Sequence, residues 1–169
     1  MPMINVFKPK GSLSRSQVEL LTEKLTNALL NIEGVDNEAS RSIAWVMFHD
    51  VDPDQWAVGG RFDDHYVPEG GRFLVVVSVP NGGLFARGKK DDVATAVNQA
   101  IREVLNLPGA DDELWAPWVI VNDVPNGNWG AGGVIRTLWD IGTYARKNVP
   151  ALPKSHPTAK ALAASRIKR

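Results

Sequence analysis

The sequence predicts an α+β fold: tandem β-α-β units with pseudo-twofold symmetry, forming a four-stranded sheet with two helices on one face. Two observations carry this expectation. Twice along the chain the hydrophobic pattern passes from a strand-like run to a helical stripe and back to a strand-like run. The second pass also repeats residues of the first. At 169 residues the chain is long enough to bury a real core. It has no cysteine, which excludes disulfides, thiol catalysis and Cys-ligated metals.

The first unit opens with a strand at Met3–Phe7, followed by a helix from about Ser14 to Asn31 whose stripe is Val18, Leu21, Leu25, Leu29 and Ile32. Ser14 and Gln17 have the spacing of a capping box, and Gly34 supplies the C-terminal stop. A second strand is expected at Ile43–His49. The polar, glycine-rich connector RFDDHYVPEGG leads to the second unit, with a strand at Phe73–Val79, a helix from about Asp91 to Asn106 and a strand at Trp118–Val121. Val93, Ala96, Val97, Ala100, Ile101 and Val104 form that helix's inner face, and Gly109 is its expected stop.

The duplication extends to single residues. Val18, Asn31 and Gly34 recur 75 positions later as Val93, Asn106 and Gly109, and WVMFHDVDPDQWAVGG (Trp45–Gly60) recurs 73 positions later as WVIVNDVPNGNWGAGG (Trp118–Gly133). Seven of those sixteen positions are identical, too many for chance, and two copies make a fused pseudo-dimer, since a solenoid needs three or more units. A right-handed crossover puts each helix on one face of its strand pair. The opposite face is then left for a partner, so a closed homo-oligomer is expected.

Net charge is zero but unevenly divided. From Arg136 onward eight Lys or Arg accompany a single acid, Asp140, a balance of +7, which leaves −7 on the preceding residues. Without interleaved aromatics this tail does not read as a single-strand nucleic-acid binder, so it is expected to lie across an acidic neighbouring subunit. VIRTLWDIGTYAR reads as a short amphipathic helix with Ile135, Leu138, Trp139 and Ile141 apolar. No apolar run reaches membrane-spanning length, and the expectation is a soluble cytoplasmic protein with no nucleic-acid or membrane partner.

The N-terminus raises a chemical possibility. A small second residue permits removal of the initiator methionine, leaving Pro2 as a free secondary amine at the head of a strand. An α-amino group titrates near about 8, and burial or a nearby cation lowers that value. A base tuned close to working pH is an efficient proton carrier.

A proline opening a β-α-β unit that closes on a tryptophan and a glycine pair (Trp56, Gly59-Gly60; again Trp129, Gly132-Gly133) resembles the tautomerase superfamily, whose simplest member is 4-oxalocrotonate tautomerase. The likeness covers residues 2–60 and, without the proline, 73–133. The tandem arrangement is similar to that of malonate semialdehyde decarboxylase, cis-3-chloroacrylic acid dehalogenase and the fused tautomerases, which are trimers. The resemblance implies one tautomerase-like domain over 1–133, a C-terminal helix and basic arm over 134–169, a homotrimer, no cofactor and no metal. It further implies a keto–enol tautomerase acting on a small enol or 2-oxo carboxylic acid, with Pro2 as the catalyst.

The family's substrates are carboxylates, which need cations to hold them. Ser12 stands where many members carry an arginine, but the matching position of the second unit is Arg87, which becomes the leading substrate-binding candidate. Lys8 lies in the corresponding loop, with Lys10, Lys89 and Lys90 near it. Trp56 matches the aromatic over the proline pocket, with Trp129 as its repeat mate. A second family arginine falls on Trp45; Arg61 is the candidate replacement for its charge. His49, at a strand end, is the candidate second proton carrier. The dehalogenase's tyrosine and glutamate fall on Ile120 and Ala131, and the decarboxylase's aspartate falls near Ile43. Neither specialised signature is present. The alternatives are a hydratase or decarboxylase using Pro2 as an acid, and a non-catalytic oligomeric scaffold.

Overall fold

The computed structural model describes residues 2–68, 70–81, 89–107, 116–151, 153–155 and 157–164, with the backbone alone at 157, 158, 161 and 162. Strand β1 (Met3–Pro9) leads through helix α1 (Arg15–Glu33) and a single helical turn, α2 (Glu38–Arg41), to strand β2 (Trp45–Val51). The second unit places β3 (Leu74–Pro80), α3 (Lys90–Leu105) and β4 (Trp118–Val124) in the same order. Beyond it lie a hairpin, β5 (Trp129–Ala131) and β6 (Val134–Arg136), then α4 (Leu138–Ala145) and α5 (Pro157–Ala164).

The main sheet has the order β2-β1-β3-β4. Each unit forms a parallel pair, and the two units join through antiparallel β1 and β3. Met3 lies opposite Ser78 and Phe7 opposite Leu74, so β3 ends where β1 begins. One β3 face, Val75, Val77 and Val79, is fully buried with Ile4 and Val6 of β1. They meet Leu21, Leu25 and Leu29 of α1 and Val93, Val97 and Ile101 of α3 in one core. Both helices therefore cover a single face, as the periodicity predicts.

The opposite face carries Met3, Asn5 and Phe7, with Trp45, Met47 and His49 in register on β2. Leu74, Val76 and Ser78 continue it, in register with Trp118, Ile120 and Asn122 on β4. It is apolar and open: Trp45 is 56% exposed, Trp118 61% and Ile120 50%.

Ser14 caps α1 through the predicted box with Gln17, and Gly34 closes the helix at φ 72°. Several boundaries differ from expectation. β2 starts at Trp45 instead of Ile43, because Asn37 and Ser40 form a second capping box and residues 37–44 close into turns. β4 continues to Val124 because Asn122, Asp123 and Val124 still pair with Ser78, Val79 and Pro80. α3 stops at Asn106, which takes the left-handed conformation itself at φ 53°; Gly109 lies outside the described residues. Asparagine's short amide tolerates that conformation better than most side chains.

The tail also departs from the sequence reading. Ile135 belongs to β6 and not to a helix, since Gly132 and Gly133 turn the chain back on itself with positive φ. Thr137 and Asp140 then form the capping box that starts α4. The expected boundary at Gly133 falls in the turn of this hairpin. α4 packs on its own chain's first unit, where the Asn37 side-chain amide donates to the Ala145 carbonyl at 2.9 Å and the Arg146 guanidinium to the Gly34 carbonyl at 3.3 Å. No described helix is long and apolar enough to cross a membrane.

Candidate active site

Pro2 is buried, and its carbonyl accepts the Trp45 amide at 3.1 Å, extending the β1–β2 ladder past the strand's formal start. The second unit repeats this bond, with the Trp118 amide donating to the Phe73 carbonyl at 3.0 Å. Phe73 is therefore the counterpart of Pro2. Phe73 lies deep inside the chain, whereas Pro2 is preceded by Met1 alone.

The antiparallel β1–β3 junction decides which loops reach Pro2. Because β3 finishes at Pro80 beside the start of β1, the second unit's strand-to-helix connection leaves the sheet at the Pro2 end. Arg87 belongs to that connection and lies outside the described residues. Lys89, at the start of α3, donates to the Ile32 carbonyl at the C-terminal end of α1 at 2.8 Å, and Lys90 pairs with Asp123. The first unit's own connection leaves at the other end, next to the beginning of β3. Ser12 is there, its amide donating to the Pro9 carbonyl at 3.1 Å. Ser12 therefore lies at the Phe73 end of the sheet, away from Pro2.

Lys8 is at that far end too, six residues along β1, or about 20 Å from Pro2 at the rise of a strand. Its side chain is 5% exposed and forms an ion pair of 2.5 Å with Asp50. Within one chain it does not join Pro2. The repeated aspartates have a common job, Asp50 holding Lys8 and Asp123 holding Lys90. Removing the carboxylate alone would strand a buried ammonium. We therefore expect Asp50→Ala to cost about 1–3 kcal/mol in urea denaturation, while Lys8→Met, which removes the buried charge itself, stays near neutral.

His49 faces the open side of the sheet, the side opposite Lys8. Its Nε2 is 2.8 Å from the Asn5 Oδ1 and its ring stacks on Phe7 with centroids 4.5 Å apart. Four positions separate it from Trp45, the β2 residue bonded to Pro2, so it too stands apart from the proline within the chain. Arg61 is bound by Asp63 on the exposed connector, where their hydrogen bond raises the guanidinium's pKa and lowers the carboxyl's. Trp56 follows a 3-10 turn at Pro53–Gln55 and is half-buried. It lines a cavity with Phe73, Leu74 and Trp118, at the second unit's end of the sheet. The structure thus separates Trp56 and Arg61 from Pro2.

The repeat mate of Trp56 takes the complementary place. Trp129 is 8% exposed on β5, and its hairpin shares a cavity of about 560 Å³ with Ile43, Trp139 and Tyr144. Ile43 is two residues before Trp45, whose amide is bound to Pro2. The pseudo-twofold that puts Trp56 beside Phe73 puts Trp129 at the Pro2 end. The signal for this exchange was present in the duplication: with β1 and β3 antiparallel, each unit's loops serve the other unit's first residue. Among the described residues no cluster of three or more His, Asp or Glu is placed to hold a metal ion.

No protein-family model matches the chain, and no curated protein matches it. Solved structures do match. Native fused 4-OT aligns with a TM-score of 0.64 at 23% identity, over 83% of this chain and 98% of its own. N1, a member of the cis-3-chloroacrylic acid dehalogenase (cis-CaaD) family, aligns with a TM-score of 0.64 at 22% identity, over 96% of this chain and 99% of its own. The asymmetric trimer of wild-type F6 fused 4-OT gives 0.63 at 18%, over 83% and 98%. The duplicated strand-helix-strand architecture, with both helices on one sheet face, is thus the fold seen in native fused 4-OT and in N1.

Proposed function

We propose that the protein is a proline-based keto–enol tautomerase acting on a small enol or 2-oxo carboxylic acid. The observation that carries this reading is the burial of Pro2 at the head of β1, in the one first-strand position of the duplication that processing can convert into an amine. Burial disfavours a charged ammonium and so favours the neutral, proton-accepting form of such an amine. The nitrogen then removes a proton from the enol hydroxyl or the α-carbon and returns it to the other, and the substrate ends as an isomer with no atoms gained or lost.

Charge at this end supports the same reading. Arg87, Lys89 and Lys90 occupy the strand-to-helix segment that begins beside Pro2, and a guanidinium is well suited to grip a carboxylate while enolate charge develops. The cavity beside the Trp129 hairpin, with Ile43 and Trp139 in its wall, lies toward the same end. Arg61, Trp56, Lys8 and His49 belong to a Pro2 site only if a second subunit supplies them. We further propose a homotrimer that covers the open sheet face, in line with the trimers of fused 4-OT.

N-terminal mass spectrometry of the purified chain, paired with turnover of phenylenolpyruvate and 2-hydroxymuconate, tests the reading. The expected mature chain starts at Pro2 and isomerises at least one of them. A preparation still carrying Met1 that turns over equally well would overturn it, because an amide nitrogen has no basic lone pair.

A further inference from the structure

The segment beyond the duplication encloses a cavity of its own. About 560 Å³ lies between the β5–β6 hairpin, α4 and Ile43, within the size range of small-molecule sites. Its described lining residues all lie outside the strands of the main sheet, so none belongs to the open face assigned to a neighbouring subunit. Ile43, Trp139 and Ile141 supply apolar wall, and Arg136 and Lys147 are its cations. In the hairpin Arg136 stands opposite Trp129, and Ala131 opposite Val134, so Arg136 and Ala131 share a face. The Arg136 Nε donates to the Ala131 carbonyl at 3.4 Å, and Nη2 lies 4.0 Å from the place a Cβ on Gly132 would take. Ala131 and Gly132 both line the cavity, so the guanidinium itself rests against the wall. Among the described residues no acceptor meets either terminal nitrogen, and neither nitrogen is sealed from solvent. Elsewhere cations meet carboxylates, as Lys24 meets Glu103 and Arg41 meets Asp36. No described carboxylate pairs with Arg136 or Lys147, although Asp140 lines the same cavity. The Asp140 Oδ2 instead accepts from the Thr137 amide and hydroxyl, both at 2.9 Å.

We propose that this cavity binds a small flat organic acid carrying a single carboxylate. The Arg136 guanidinium offers its free terminal nitrogens to the carboxylate oxygens in charge-assisted hydrogen bonds, a planar geometry that an ammonium does not match. Lys147, which is exposed, adds a second positive charge, and two cations against one acid favour a monoanion. Trp139, Ile43 and Ile141 receive the apolar body. The walls are fixed before any ligand arrives. Thr137 and Asp140 cap α4, the Asn37 amide donates to the Ala145 carbonyl at 2.9 Å, and the Tyr144 hydroxyl is 3.2 Å from the Ser42 Oγ. A preformed site spares the ligand the cost of ordering it. Pro2 is not among the lining residues, so the site is independent of the proposed tautomerase activity.

Phenylacetate is a suitable probe, since it carries no 2-oxo group for Pro2 to act on, and phenylacetamide is its uncharged counterpart. The indole ¹H–¹⁵N signal of Trp139, assigned through Trp139→Phe, reports the cavity, and that of Trp118 on the sheet serves as the control. In the assembled native protein the Trp139 signal is expected to shift saturably with phenylacetate while Trp118 stays in place. Pro2→Leu should bind equally, so that turnover lost with binding intact separates this site from the proposed reaction. Phenylacetamide should bind at least about tenfold more weakly, since charge-assisted hydrogen bonds are replaced by neutral ones. Arg136→Met should weaken phenylacetate binding by about tenfold, and Lys147→Met by about threefold, as an exposed charge contributes less. Thr143 lines the cavity from an exposed position on α4. Thr143→Phe keeps both cations, fills the cavity and should abolish the shift. An unmoved Trp139 signal, a parallel shift of Trp118, equal binding of the amide, or binding undiminished in Arg136→Met and Thr143→Phe would overturn the proposal. Binding that vanishes in Pro2→Leu would overturn its independence from the proline.

Discussion

Replacing Pro2 with leucine is expected to lower kcat/KM toward the tautomerase substrate by about 10²–10⁴-fold, the range general acid–base catalysis contributes. A bulky second residue keeps the initiator methionine in place. The backbone nitrogen at position 2 then remains an amide, while the buried side chain stays apolar and of similar size. Pro2→Ala is a gentler change. Processing still exposes an amine, but a primary one without the ring that fixes φ near −65°, so the proton carrier survives while its placement does not. A graded loss, larger for leucine than for alanine, at unchanged circular dichroism and oligomeric state is the signature of a catalytic nitrogen. Equal turnover by the native chain and Pro2→Leu would leave the scaffold reading in possession of the fold.

The largest structural effect is expected at Leu25. It is fully buried in α1, within the single core that joins α1 and α3 to the sheet. Leu25→Ala removes the contacts of a leucine and leaves a cavity that close-packed neighbours refill only in part. The expected cost is about 3–5 kcal/mol, measured as a fall in the urea midpoint with an unchanged slope. For a fold with roughly 5–15 kcal/mol to lose, this brings the chain near the edge of stability. Leu20, on the same helix but 44% exposed, provides the contrast: Leu20→Ala should cost well under half as much.

The elements of the fold were readable because their signals are local. Ser14 and Gln17 mark a helix start, Gly34 a stop, and Leu21, Leu25 and Leu29 a buried stripe; the structure has each of them. Boundaries set by competition between neighbours were not readable in the same way. Asn37 and Ser40 draw residues into a turn that delays β2, and Asn106 ends α3 by adopting a conformation usually left to glycine. The β5–β6 hairpin was hidden because three-residue strands leave too short an alternation to stand out.

The site was legible as a set of residue types and much less so as an arrangement. Pro2 is buried where the ladder begins. Trp56 and Lys8, however, sit at the opposite end, since sequence proximity to Pro2 says nothing about which loops an antiparallel junction brings to it. The antiparallel junction puts Ser12 and Trp56 at the Phe73 end of the sheet and the hairpin of Trp129 at the other.

The Phe73 carbonyl that takes the place of Pro2's has a stoichiometric consequence. The second copy's first residue is internal to the chain, so under the proposed processing an assembly of these chains would offer one proline amine per chain, however many β-α-β units it contains. A substrate-like inactivator selective for that proline nitrogen over the lysines should therefore reach saturation at a single equivalent per polypeptide, with the label on the N-terminal peptide.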